Sequence, residues 1–116
     1  MDGKVLSKMS YKKEKEWVEE VAGLLKDIEF LNFGKPKRIE CKTSLTDTEW
    51  TLYFEGTDSV VFLEFWDFCT ECALQIEIDE YKRYTCMGSD SPEDISELIK
   101  ILLDEFQNGK MYWEKI

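Results

Sequence analysis

The chain has no histidine among its 116 residues, which removes the side chain most often used as a general base near neutral pH and the commonest zinc and iron ligand. Ser-His-Asp triads, HExxH proteases and His-ligated oxygenases are excluded with it. Glycine is scarce, at six, and neither GxGxxG nor GxxxxGK[ST] occurs, so no phosphate-cradling loop is encoded. Basic side chains are a minority, 15 against 25 acids, and the net charge of -10 repels phosphate backbones and anionic membranes alike. Neither nucleic acid nor membrane is therefore expected as a direct partner. No run approaches the roughly 20 apolar residues of a membrane span. The opening residues, Met1-Asp2-Gly3-Lys4, put charges where an export signal needs apolar side chains, so a cytoplasmic protein is expected. With two prolines, no internal repeat and no Pro/Gly/Ser-rich linker, one domain over residues 1–116 is expected.

What is present suffices for a folded domain. At 43% apolar and 14% aromatic residues the composition is not that of a disordered chain. A chain of this length buries roughly two thirds of its unfolded surface, enough for one two-layer core. Four cysteines in a chain with its own core and no export signal read as packed or half-buried thiols rather than bridges. Cys69 and Cys72 form a CxxC, yet Ala73-Leu74-Gln75-Ile76-Glu77-Ile78 alternates with period two, as a strand does. The helix N-terminus that would acidify a redox thiol is missing. Cys41 and Cys86 stand singly, without the second knuckle of a structural zinc site. No metal, no cofactor and no cysteine chemistry are expected.

Between Ser10 and Ile28 the apolar positions Trp17, Val18, Val21, Leu24, Leu25 and Ile28 recur at three and four, with acids between them, and predict an amphipathic helix that Gly34 and Pro36 cannot prolong. Ile39–Leu45, Glu49–Glu55, Val60–Trp66, Cys72–Asp79 and Lys82–Met87 are rich in β-branched and aromatic residues. The short connections between the first three predict hairpins, hence an antiparallel meander of four or five strands. Trp50, Leu52 and Phe54 share a face, as do Leu74, Ile76 and Ile78, while Thr51, Tyr53, Gln75 and Glu77 face the other way toward water. Ser91-Pro92-Glu93-Asp94 combines a capping serine, proline at the first helical position and acids at the positive end of a helix dipole. A helix from Pro92 to Gln107 follows, stopped by Asn108-Gly109, and Lys110–Ile116 closes the chain as a short strand or docked tail. The expected fold is α+β, with both helices on one face of the sheet.

Charge is distributed unevenly. Ten basic and nine acidic residues nearly cancel up to Thr48, whereas between Glu49 and Glu97 thirteen acids face only Lys82 and Arg83. Asp67, Glu71, Glu77, Asp79 and Glu80 are interleaved there with Trp66, Phe68, Tyr81 and Tyr84. Aromatic anchors in a charged rim supply both binding energy and steering at protein interfaces. Asp67, Glu71, Glu77, Asp79, Glu80 and Tyr81 are therefore the candidate contacts for a basic protein partner. A catalytic alternative is a magnesium nuclease built from Asp67 and the ExK run Glu80-Tyr81-Lys82. Glu40-Cys41-Lys42 repeats that spacing by chance in a chain with 34% charged residues, and no basic groove accompanies it, so no enzyme is expected.

With the acidic, aromatic-laced stretch Glu64-Phe65-Trp66-Asp67-Phe68 through Glu80-Tyr81, and the closing helix from Ile95 to Phe106 before Asn108-Gly109-Lys110, the chain resembles the small immunity proteins of bacterial polymorphic-toxin and contact-dependent inhibition systems. The resemblance implies a compact, acidic, cytoplasmic, single-domain inhibitor that blocks one cognate toxin domain, often a nuclease; a monomer is favoured, with the oligomeric state left open. It carries no residue roles across. Two other classes fit the same size and acidity: type III secretion chaperones, which dimerise around an extended effector segment, and phage-encoded inhibitors of defence nucleases, some of which mimic nucleic acid.

Overall fold

The computed structural model describes residues 3–44, 47–67 and 71–116, with side chains of the first helix from Lys15 onward. Helix α1 (Gly3–Lys26) is followed by strands β1 (Pro36–Thr43), β2 (Asp47–Phe54), β3 (Val60–Asp67), β4 (Cys72–Ile78) and β5 (Tyr81–Met87), helix α2 (Pro92–Asn108) and a two-residue β6 (Glu114–Lys115). The strands form one antiparallel sheet in sequence order, a pure meander, and the two helices lie on one side of it. The fold is α+β, as the sequence patterns indicate.

Helix α1 begins seven residues before the expected start at Ser10. The expected start follows the apolar spacing from Trp17 on, and the lysine-rich turns before it are good helix formers. Val18, Val21 and Leu25 are buried on the sheet side. After the helix, Phe30 and Gly34 exchange two backbone hydrogen bonds of 2.9 and 2.8 Å, with Asn32 and Gly34 at φ 67° and 78°. That tight turn drops Phe30 and Phe33 onto Phe54, at 6.0 and 5.0 Å between ring centroids.

Alternation sets the two faces. Trp50, Leu52, Val61, Leu63, Leu74 and Ile76 are fully buried on the inner face, where Ile95, Ile99, Leu103 and Phe106 of α2 pack with them. The Trp50 indole N–H donates to the Val18 carbonyl at 3.1 Å, tying β2 to α1. At the start of α2 the Ser91 hydroxyl accepts from the Asp94 amide at 3.1 Å, with Pro92 in the first turn. The β4–β5 connection is only Asp79-Glu80, with Asp79 in the left-handed region at φ 56°. Among the described residues no helix is long and apolar enough to cross a membrane.

Candidate functional site

Among the described residues no helix covers the outer face of the sheet, and its composition follows from strand register. Directly opposed residues lie on the same face. Asp47 pairs with Trp66, Glu49 with Glu64, and Thr51 with Phe62 across β2 and β3. The rows continue across β4 and β5: Glu64 to Gln75 to Tyr84, Phe62 to Glu77 to Lys82, and Trp66 to Ala73 to Cys86. One bare surface thus presents Phe62, Trp66 and Tyr84 among Asp47, Glu49, Glu64 and Glu77. The Trp66 and Tyr84 rings lie 6.2 Å apart. At the β1 margin Arg38 sits 4.1 Å above the Tyr53 ring, and the Tyr53 hydroxyl donates to Glu40 at 3.0 Å.

The carboxylates are concentrated. Oxygens of Asp47, Glu49 and Glu64 lie within 4.8 Å of one another, a spacing that suits a divalent cation or the guanidinium of a partner's arginine. Burial pushes Glu64 up to about 7, helped by a hydrogen bond with Asp47 and by repulsion from Asp47, Glu49 and Glu77. Each factor favours the neutral acid over the anion. A depression of about 470 Å³ beside Glu49, lined by Glu40, Cys41, Lys42 and Thr51, holds mostly charged and polar side chains rather than the apolar lining of a small-molecule pocket.

The six residues singled out from sequence do not form one patch. Glu77 is on the bare face, where it accepts from the Gln75 amide at 3.0 Å. Asp79 and Glu80 occupy the β4–β5 turn, Asp79 accepting from the Ser59 hydroxyl at 2.9 Å. Asp67 pairs with Cys72 at the opposite end of β4 and belongs to the inner row, with Glu71 exposed beside it. Burial and the nearby Asp90 raise Asp67, against a thiol hydrogen bond from Cys72 of 3.7 Å that lowers it. Tyr81 does not stand beside the carboxylates on the wet side. A two-residue turn sets Ile78 and Tyr81 opposite each other, so both point inward, and Tyr81 packs edge-on against Phe106 at 5.7 Å. The nuclease constellation is not assembled either: Asp67 and Glu80 lie at opposite ends of β4, about 20 Å apart at the usual rise per residue.

Phe68 and Cys69 lie outside the described residues. Cys72 is buried, and burial together with nearby carboxylates pushes its thiol up to about 11, the reverse of redox activation. Cys41 and Cys86 are exposed rather than packed. Cys86 alternates onto the bare face, and in β1 only Pro36 and Ile39 are covered.

Sequence reading passed over Asp47, Glu49, Glu64 and Phe62 as contacts. Their signal was alternation: Asp47 and Glu49 flank the buried Thr48 ahead of Trp50, and Phe62 and Glu64 fall between Val61, Leu63 and Phe65. The architecture is that of a two-layer α+β protein with one sheet face uncovered. No family model, no curated protein and no solved structure matches the chain.

Proposed function

We propose that the chain is a non-enzymatic, cytoplasmic inhibitor that binds a basic protein domain through the bare face of its sheet, as the immunity partner of a toxin domain, a nuclease in the first instance. The observation that carries this reading is the register-aligned surface of Phe62, Trp66 and Tyr84 among Asp47, Glu49, Glu64 and Glu77. Aromatic side chains there offer area at low entropic cost, and the carboxylates steer and orient a cationic surface. Glu64 stands opposite Glu49 and keeps its proton to about pH 7, and a basic side chain from the partner lets both carboxylates ionise. A toxin nuclease presents such a surface because its own substrate is a polyanion.

The test is co-expression with toxin nuclease domains, beginning with any that is encoded beside this gene. Cells that express both survive, and the purified pair runs as a stoichiometric complex whose association slows with added salt. Death of the cells regardless of this chain, with no complex formed, overturns the reading. A complex that releases a folded effector to a secretion machine would establish the chaperone reading instead.

A further inference from the structure

The two edges of the sheet are finished differently. On β1 the edge carries Pro36, a register shift between Pro36 and Arg38, and the cations Lys37, Arg38 and Lys42. Those are devices by which natural sheets deter the addition of another strand. On the other side, β6 pairs with β5 only through Tyr81 with Lys115 and Lys82 with Glu114. Among the described residues no strand pairs with the outer side of β5 from Arg83 to Met87. That stretch has no proline, no lysine and no shift of register against β4. Its one cation, Arg83, is turned onto Glu105 of α2 at 3.1 Å.

Apolar surface flanks the open edge in both directions. Ile101 lies one turn before Glu105, hence on the flank of α2 that reaches Arg83, and is 55% exposed. Tyr112, just before β6, is 63% exposed. Its ring is 5.8 Å from the Arg83 guanidinium.

We propose that this edge of β5 pairs antiparallel with the same edge of a second copy of the chain, joining two sheets into one. Charge selects the place, and the self-complementary register of the edge selects the occupant. Two copies at -10 repel, so self-association must fall where charge is least. Tyr84 to Ser89 is the longest stretch of the sequence without a charged residue. The edge is also self-complementary. Pairing about Thr85 sets Thr85 against itself, Tyr84 against Cys86 and Arg83 against Met87, and no like charges meet. A dyad perpendicular to the sheet keeps both copies of α2 in one layer and turns their Ile101 flanks toward each other. The bare faces of the two sheets stay uncovered on the same side, with only Tyr84 shared between the seam and the proposed partner surface. A five-residue ladder alone falls short of the roughly 1,200 Å² of a stable interface, which makes Ile101 and Tyr112 necessary parts of it.

The experiment is light scattering on the full chain from about 5 to about 200 µM, in about 50 and about 500 mM salt. The mass rises with concentration from 13.8 kDa toward twice that value, and further in high salt, where repulsion is screened. Thr85→Lys places two like charges on the axis, and Ile101→Lys charges an exposed helix position with no effect on the core; each weakens association at least about tenfold. Thr85→Cys in a Cys86→Ser background forms a disulfide-linked dimer on mild oxidation, because directly opposed Cα atoms about 4.5 to 5.5 Å apart suit a disulfide. A monomer at every concentration in both salts overturns the proposal, and so does a dimer that neither lysine weakens. The salt response is opposite in sign to that expected for a basic partner, so one proposal can fail without the other.

Discussion

Glu64 on β3 stands directly opposite Glu49 on β2, a like-charge pair at the centre of the bare face. Antiparallel sheets lose stability when such a pair is fully ionised. Glu64 avoids this by keeping its proton until about pH 7, a consequence of its burial, its hydrogen bond with Asp47 and the surrounding carboxylates. The folded chain thus holds a proton that the unfolded chain, with this group near 4.5, gives up. Its contribution to stability is complete below the unfolded value and is lost as pH rises through the folded one.

The melting temperature, followed by circular dichroism, should therefore fall as pH is raised from about 5 to about 8. Glu64→Gln keeps a neutral hydrogen-bonding side chain at every pH and should flatten much of that fall. Asp67 is raised as well and leaves a remainder of the same sign. A variant that retains the full wild-type slope would place the titration elsewhere.

Partner binding should depend on the bare face rather than on the turns. Trp66→Ala is expected to cost about 2 kcal/mol or more in affinity, as central aromatic anchors do. Glu77→Gln and Glu49→Gln should slow association. Asp79→Ala, in the β4–β5 turn, should stay within about threefold of wild type, less than about 0.7 kcal/mol. Wild-type affinity in Trp66→Ala, Phe62→Ala and Glu49→Gln alike would remove the face from consideration.

What sequence revealed and what it hid have separate physical causes. Periodicity carried the element order, because Trp50, Leu52 and Leu74, Ile76 alternate into the core while Val21, Leu25 and Ile99, Leu103 recur at helical spacing. Ser91 and Pro92 fixed the start of α2 through their own backbone chemistry. The candidate site was less legible because it depends on register between strands. Glu49 and Glu64 are fifteen residues apart in sequence and meet only once the β2–β3 hairpin is closed. Tyr81 was misplaced for a similar reason, since the length of the turn before it decides which face it takes. The first turns of α1 were missed because Val5, Leu6 and Met9 are separated from the stripe that begins at Trp17 by the charged run Lys12-Lys13-Glu14-Lys15-Glu16.

Thiol reactivity should separate the cysteines. Cys41 and Cys86 are exposed and should react with a disulfide reagent in the native state, whereas Cys72, buried and pushed up to about 11, should react only on unfolding. Cys69→Ser combined with Cys72→Ser should leave fold and binding intact, because a serine at position 72 still donates to Asp67. Stoichiometric zinc in the purified protein, lost in that double variant, would contradict this.

The final prediction concerns the joint between α1 and the sheet. Trp50 is fully buried, its ring lies 5.5 Å from that of Trp17, and its indole N–H reaches the Val18 carbonyl. Trp50→Phe keeps an aromatic ring but deletes the donor, so a buried hydrogen bond is lost along with some packing, at a cost of about 1 to 3 kcal/mol. Trp50→Ala also opens a cavity beneath α1 and should cost about 3 to 5 kcal/mol. Urea denaturation distinguishes the two contributions: the midpoint should fall in that order while the slope stays that of the wild type, since the same surface is exposed on unfolding. If Trp50→Phe unfolds at the wild-type midpoint, the bond to Val18 contributes nothing net, and α1 is held by apolar contact alone.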